Sequence, residues 1–213
     1  MARFDLVIFD CDGVVVDSER IAHEVFGKFV RSLGVELTEA EMHQHFLGRR
    51  LAECVAIVER LSGKAAPPGA LEAYKKERDR VLREQIQPIP GVRAVLEQLT
   101  IPYCIASSGD YDKMRVTLGA TNLLPLFEGR FYSATEVPRG NPAPDVFLLA
   151  AQRMGAEPAR CVVIEDSVNG VLAGCAAGMI VFGFAGLTPP ERLRTAGATL
   201  TFASMRELPA LLA

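Results

Sequence analysis

This chain lacks the features that mark proteins acting on nucleic acids, in membranes or outside the cell. Its 213 residues carry a net charge of −3, and no lysine- and arginine-rich stretch resembles a nucleic-acid-binding arm. No apolar run is long enough to span a bilayer, and the first residues lack the basic and apolar regions of a secretory signal. We therefore expect a cytoplasmic protein that has neither a nucleic acid nor a membrane as its partner.

The five cysteines offer no disulfide framework. They are scattered, odd in number and form no CxxC pair, and four of them lie in apolar contexts, which favours reduced, buried thiols. Cys11 lies between two aspartates, where a nucleophilic thiol is one interpretation and a small space-filling strand residue is the favoured one. Apolar residues make up 49% of the chain, so a sizeable core can form.

The hydrophobic pattern changes twice along the chain. The apolar run 6–9 is typical of a buried parallel strand. From 16 to 87 the pattern is helical, with a capping-box sequence that begins at Thr38, and the Pro-Ile-Pro-Gly segment at 88–91 ends it. Beyond this segment, helices alternate with predicted strands at 103–106, 130–133, 161–164, 180–184 and 199–202.

Alternating strands and helices favour right-handed βαβ units and a parallel sheet. The length allows one large domain or two small ones. We therefore predict an α/β protein with a Rossmann-like, doubly wound parallel sheet as its core, formed by residues 1–15 and 88–213. An all-helical cap domain at 16–87 is inserted into this core.

Two aspartates directly after the first strand are the most informative residues. Asp10 and Asp12 follow the apolar run, so we expect both at the carboxyl end of a parallel strand, where open α/β sheets bind ligands. One carboxylate there can attack a phosphorus atom, while the other handles the proton of the leaving group. This arrangement indicates phosphoryl transfer.

Two further segments follow predicted strands. Ser107, Ser108 and Gly109 offer a hydroxyl and successive amides just before a helix, which is typical of a phosphate cradle, although an ordinary turn is the alternative. Glu165 and Asp166 follow a β-branched run, where buried charge is costly unless it is paired or bound to metal. With Asp10 they form an oxygen-rich candidate site for Mg²⁺; helix capping is the alternative.

These segments, in this order, resemble the haloacid dehalogenase superfamily. The resemblance is carried by the stretch from Asp10 to Glu19, by the Ser107 segment, by a Gly-x-Pro-x-Pro-Asp segment at 140–145 and by the segment that starts at Glu165. It points to the branch of capped sugar-phosphate phosphatases and β-phosphoglucomutases. An aspartate at position 12 favours phosphate esters over dehalogenation.

The resemblance implies a role for each of these residues. Asp10 would be the nucleophile that forms an aspartyl-phosphate, and Asp12 the general acid and then the base. Mg²⁺ would be held by Asp10, Asp166, the Asp12 backbone carbonyl and, through water, Glu165. The phosphoryl oxygens would be bound by Ser107, the amides of Ser108 and Gly109, and the residue at position 141.

Position 141 departs from the family pattern. The family carries lysine there, whereas this chain has Asn141, which can hydrogen-bond a phosphoryl oxygen but cannot neutralise it. The loss of such a charge-assisted contact costs about 1.5–3 kcal/mol. Either Arg139, two residues upstream, replaces the missing charge, or the chain is a slow or inactive variant that binds phosphate and Mg²⁺.

The predicted cap suggests the substrate. Phe46 to Arg50 resembles the family's substrate loop, so Gly48, Arg49 and Arg50, together with Glu19, are candidate contacts to the substrate; a solvated helix start is the alternative.

Three histidines complete the predicted cap. His43 and His45 point apart on a helix, so we expect surface positions and no metal pair. The family's mutase histidine aligns with Ala22, and the neighbouring His23 points about 100° away. Hydrolysis of a small phosphorylated sugar or sugar acid, similar to 6-phosphogluconate or a hexose phosphate, is therefore expected; a phosphosugar mutase is the alternative. We also expect a monomer.

Overall fold

A computed structural model describes residues 3–213, except for the side chain of Glu19, so the predicted role of Glu19 lies outside the described residues. Six parallel strands form one sheet in the order β3-β2-β1-β4-β5-β6. The strands are β1 (Leu6–Phe9), β2 (Tyr103–Ser107), β3 (Phe131–Ser133), β4 (Cys161–Glu165), β5 (Ile180–Phe184) and β6 (Leu200–Phe202). The predicted Rossmann-like parallel sheet is confirmed.

Helices account for most of the remaining chain. They are α1 (Glu19–Ser32), α2 (Glu39–Phe46), α3 (Leu51–Ser62), α4 (Ala70–Gln85), α5 (Val92–Gln98), α6 (Tyr111–Ala120), α7 (Leu124–Phe127), α8 (Asp145–Met154), α9 (Val168–Ala176), α10 (Pro190–Thr195) and α11 (Leu208–Leu212). The predicted capping box at Thr38 is present, because its side chain accepts from the amide of Glu41 and the Glu41 carboxylate accepts from the amide of Thr38. No helix within residues 3–213 has the length and apolar character needed to cross a membrane.

The sheet is buried on both faces. Successive side chains of β1 point in opposite directions, so Val7 and Phe9 join one apolar cluster, with residues of α5, α6 and α11, while Leu6 and Ile8 join the other, with residues of α8, α9 and α10. Burial of each such large side chain contributes about 1.5–3 kcal/mol. Helices on both faces explain why the strands read as continuous apolar runs.

Strand register brings the strand ends together. In β1, Phe9 is level with Ile105 of β2 and Ile164 of β4. Because the strands are parallel, the residues after Phe9 and Ile164 emerge at the same edge of the sheet. The carboxylates that we predicted at the ends of separate strands therefore lie together at this edge.

Helices α1–α4 form the block between β1 and α5. They have an apolar cluster of their own around Phe26, Phe29 and Val58. The block begins and ends at neighbouring points, since Asp17 donates its amide to the carbonyl of Gln87 at 2.9 Å. An inserted segment requires such adjacent ends; the division into a separate cap at 16–87 remains a prediction.

Candidate active site

The carboxyl edge of the sheet forms the floor of a cavity of about 510 Å³. The sheet and the loops after it contribute Asp10, Asp12, Ser107, Ser108, Gly109 and Asp166, and the helical block contributes Ala22, His23, Phe46, Gly48, Arg49, Arg50, Lys75 and Arg78, among other residues. This volume lies in the range of small-molecule sites, about 300–1,000 Å³. The predicted segments after β1, β2 and β4 therefore do meet.

Three buried carboxylates form a cluster at this edge of the sheet, where Asp10 and Asp166 line the cavity and Glu165 lies behind it. Asp10, Glu165 and Asp166 each offer an oxygen within 4.8 Å of the others. Burial raises the pKa of Asp10 well above its usual range, and the charges of Glu165 and Asp12 raise it further. Three buried acids are costly without a cation, and an all-oxygen donor set is the kind that Mg²⁺ prefers. The residues present therefore fit a hard divalent cation.

A glycine makes room for this cluster. Gly13 has φ +75°, and a Cβ at this position would overlap the Asp166 carboxylate. A side chain there would meet both a strained backbone and the acid group. Gly13 is therefore required by the close approach of the β1 loop to Asp166.

The side chain of Asp12 points to other partners. Its carboxylate accepts a hydrogen bond from Ser18 Oγ at 2.5 Å and forms an ion pair with Lys113 Nζ at 2.7 Å. Burial alone would raise the pKa of Asp12, but the charge and hydrogen bond of Lys113, together with the Ser18 hydroxyl, lower it overall. Asp12 is therefore held as a carboxylate. Of the predicted metal ligands, it is the one whose side chain does not join the three-carboxylate cluster of the described residues.

Lys113 lines the cavity and was not among the residues predicted from the sequence. It lies in the first turn of α6, its side chain is 16% exposed, and the Asp12 ion pair raises its pKa further above the usual range, against the effect of burial. A cation in the first turn of a helix opposes the helix dipole. A lysine in the first turn of a predicted helix therefore suggests a nearby negative partner, and this signal could have identified Lys113 from the sequence.

A buried arginine continues the charged network. Arg78 of α4 is 4% exposed and forms ion pairs with Asp79 at 2.8 Å and Asp110 at 3.1 Å. Asp110 in turn caps α6 by accepting the amide of Lys113 at 2.7 Å. Helix α4 is thereby connected to the start of α6, beside Asp12.

The two hydroxyls of the predicted phosphate cradle already have hydrogen-bond partners within the protein. Ser107 is buried and accepts the amide of Gly109 at 3.1 Å. The Ser108 hydroxyl donates to the carbonyl of Gly48 at 3.0 Å, and so binds the helical block to the core. Phosphate binding by these three residues remains a prediction.

Asn141 is buried, and its side chain brings no positive charge to the site. Asn141 is 4% exposed, and its Oδ1 has no hydrogen-bond partner among the described residues. The cavity lining in residues 3–213 does not include Asn141. Arg139 is engaged elsewhere: it pairs with Asp145 at 2.7 Å, and its side chain is 69% exposed. The structure therefore places Lys113, not Arg139, beside Asp12.

The two arginines of the predicted substrate loop differ. Arg50 is held by Glu53 at 2.7 Å and by the backbone carbonyls of Val137 and Pro138 at 3.2 and 3.3 Å. The Nε of Arg49 is buried without a hydrogen-bond partner among the described residues, and Arg49 lines the cavity. Arg49 is therefore the arginine with donor capacity for a ligand.

Gly48 fixes the path of this loop. It has φ +72°, and a Cβ there would overlap the Ser167 side chain. The next contact of the loop is the Leu47 carbonyl, which accepts Asn169 Nδ2 at 2.8 Å. Gly48 therefore lets the loop lie directly on the start of α9; its predicted contact to a substrate stays a prediction.

Two predictions for the histidines were partly wrong. His43 and His45 are both half-buried rather than on the open surface. His43 packs against His23 of α1, with the ring centroids 4.1 Å apart. His23 lines the cavity together with Ala22, although we expected it to point away.

Cys11 is buried and burial raises the pKa of its thiol, which disfavours the nucleophilic interpretation.

Comparison with known proteins agrees with this geometry. Residues 4–178 match the family model of the haloacid dehalogenase-like hydrolases, and the chain belongs to this family. It is 32% identical to the 6-phosphogluconate phosphatase of Escherichia coli over 212 residues, which covers 99% of this chain and 96% of the relative.

Solved structures show the same relationship. A conserved haloacid dehalogenase-like protein from Agrobacterium tumefaciens is 37% identical, with a TM-score of 0.82 and coverage of 98% of this chain and 97% of that one. A haloacid dehalogenase family hydrolase from Deinococcus radiodurans, with bound phosphate and sodium, is 32% identical, with a TM-score of 0.76 and coverage of 100% and 96%. With its curated phosphatase relatives, this chain is a phosphoric monoester hydrolase.

Proposed function

We propose that this chain is a Mg²⁺-dependent phosphatase that hydrolyses a small phosphorylated sugar or sugar acid through an aspartyl-phosphate on Asp10. The observation that carries the proposal is the buried cluster of Asp10, Glu165 and Asp166 at the carboxyl edge of the sheet, with Asp12 beside it. The Deinococcus structure with bound phosphate supports phosphate recognition by the same fold.

The two aspartates divide the chemistry. A carboxylate oxygen of Asp10 attacks phosphorus and the bond to the ester oxygen breaks. The protonated fraction of Asp12, which Lys113 keeps small, gives that oxygen a proton. Asp12 then takes a proton from water, which attacks the phosphorus of the aspartyl-phosphate, and Asp10 is regenerated with release of inorganic phosphate. Mg²⁺, when held by Asp10, Asp166, the Asp12 carbonyl and Glu165, would supply charge neutralisation for the phosphoryl group.

Lys113 takes over the positive charge that Asn141 lacks. Its ammonium group lies 2.7 Å from Asp12 in the cavity wall and lowers the pKa of Asp12, whereas it only opposes the rise that burial causes in the pKa of Asp10. A charge placed there stabilises negative charge that develops on the transferring group. A positive charge is thus available beside Asp12 in the first turn of α6, although Asn141 supplies none, and a slow variant is not the preferred interpretation.

The rest of the cavity wall suggests an anionic leaving group. Arg49 and Lys75 line it from the helical side, and Arg78, which is already paired with Asp79 and Asp110, lies beside them. A phosphorylated sugar acid carries a carboxylate that such cations recognise, and one relative is a 6-phosphogluconate phosphatase. We therefore favour a sugar acid phosphate over a neutral sugar phosphate.

A phosphate-release screen over phosphorylated sugars and sugar acids, with and without Mg²⁺, tests this function. We expect release that depends on Mg²⁺ and is abolished in Asp10→Asn. An isomerised sugar phosphate as product would instead show a mutase. Phosphate binding without turnover on any substrate would show the slow binding variant.

A further inference from the structure

A second group of metal-binding side chains lies in the helical block, away from the carboxylate cluster. It consists of His23 on α1 and of Glu39 and His43 on α2, and we call it the histidine cluster. Each residue offers one ligand atom, and these atoms lie within 4.8 Å of one another. The rings of His23 and His43 are 4.1 Å apart between centroids.

The helices explain why these three residues meet. Glu39 and His43 are four residues apart on α2 and therefore lie on one face of the helix. That face packs against α1, which presents His23 to it. The arrangement thus needs only the regular spacing of one helix and a single residue from its neighbour.

The donor set of this cluster differs from that of the catalytic floor. Two imidazoles and one carboxylate suit Zn²⁺ and similar transition metals, whereas all-oxygen sites suit Mg²⁺. Ligands on a tetrahedral Zn²⁺ at about 2.0–2.1 Å lie closer together than 4.8 Å. Rotation of the exposed Glu39 and of the half-buried imidazoles supplies this adjustment.

The surroundings provide access and favour the metal-ligating form of His23. The cluster borders a second cavity of about 600 Å³, whose lining includes the acids Asp17 and Glu24 and the cations Arg20 and Arg31. Burial and the neighbouring His43 lower the pKa of His23, while Glu39 opposes the shift. A neutral imidazole is the form that binds a metal ion.

We propose that His23, Glu39 and His43 form a binding site for a divalent transition metal of the Zn²⁺ class, which bridges helices α1 and α2. Three protein ligands leave a coordination position for water or a small ligand. His23 and Met42 line both this cavity and the catalytic one, so the bridge stands at the wall between them. The proposal rests on the cluster alone and is independent of the proposed phosphatase reaction.

Metal titration of the whole protein tests the site. With Mg²⁺ in saturating excess to occupy the carboxylate cluster, Co²⁺ is added and its visible absorption is followed, and Zn²⁺ binding is measured by calorimetry. We expect one equivalent of each metal, with a Co²⁺ spectrum typical of imidazole ligation and a higher melting temperature with Zn²⁺.

Variants assign the ligands. His23→Ala and His43→Ala should each weaken Zn²⁺ binding by at least about tenfold, the lower range for loss of supporting groups at metal sites. Glu39→Gln, at an exposed position, tests the third ligand with little risk to folding. His45→Ala is the matched control on the same helix and should bind as the unaltered protein does. The proposal is overturned if no Mg²⁺-resistant equivalent is bound, or if Glu39→Gln and both alanine variants bind Zn²⁺ unchanged.

Discussion

The floor of the catalytic cavity carries negative charge, whereas its walls carry positive charge. Asp10 follows β1 directly, Glu165 is the last residue of β4, and Asp166 comes next. The backbone of two neighbouring strands therefore fixes their positions. The cations Arg49, Lys75, Arg78 and Lys113 come from helices and a loop, and reach the cavity through long side chains. The floor is thus suited to hold a metal and a nucleophile, and the walls to receive an anionic substrate.

The largest expected effect comes from the floor. Asp10→Asn should reduce phosphate release to the background of the assay, because the amide cannot form the acyl-phosphate bond. The measurement is steady-state phosphate release with Mg²⁺ present. Asp5→Asn is the matched control, since Asp5 pairs with Arg160 at the surface. Residual turnover in Asp10→Asn close to that of the control would contradict the assignment of the nucleophile.

The next effect comes from the wall. Lys113→Met should lower kcat/KM by about 10- to 100-fold, which corresponds to loss of a charge-assisted contact of about 1.5–3 kcal/mol. Lys113 lowers the pKa of Asp12, so its removal should raise that pKa. At low pH less Asp12 is then available as the base, and the acid limb of the kcat profile should move to higher pH.

A control separates this effect from loss of any lysine. Lys76 is exposed on α4 and does not line the cavity in the described part of the chain. Lys76→Met should leave both the rate and the pH profile unchanged. A Lys113→Met enzyme with normal rate and profile would show that the cation of α6 plays no part in catalysis.

A smaller effect is expected at position 141. Asn141→Lys should raise kcat/KM, and the gain should be larger in the Lys113→Met background than in the unaltered enzyme, where a cation is already present. A double-mutant cycle of the two substitutions measures this difference. Equal gains in both backgrounds would mean that the two positions do not share one role.

Substitutions of the two loop arginines should have different kinetic effects, because Arg49 is available to bind the substrate and Arg50 holds the loop against the core. Arg49→Ala should raise KM by up to about tenfold through loss of a contact to the leaving group, with kcat little changed. Arg50→Ala removes the contacts to the Val137 and Pro138 carbonyls and should lower kcat and raise KM together. Steady-state kinetics on the best substrate of the screen measures both. The same kinetic pattern in both variants would remove the distinction.

The smallest effect is expected for Arg139→Ala. The Arg139–Asp145 pair is exposed on the arginine side, and such pairs contribute about 0–1 kcal/mol. Denaturant unfolding and kcat/KM should both stay close to those of the unaltered enzyme. A large loss of activity would restore Arg139 as the substitute for the family lysine.

The comparison between floor and walls also explains what the sequence could predict. Strand ends are readable because apolar runs mark them, and Asp10, Ser107, Glu165 and Asp166 therefore lie where we expected. Lys113 was not readable, because its role depends on how α6 is oriented and on how far its side chain reaches. The histidine cluster was missed for the same reason: His23 and His43 are distant in sequence and meet only through the packing of α1 on α2.

The neighbouring ends of the helical block have an evolutionary consequence. The chain leaves the core at Asp17 and returns at Gln87, and a backbone hydrogen bond joins these two residues. With respect to the core, the block is therefore equivalent to a loop whose two ends are adjacent. The entropic cost of such a loop grows only slowly with its length. A helical block of different size or sequence can therefore replace this one, and the enzyme can acquire a new leaving-group preference while its carboxylates stay in place.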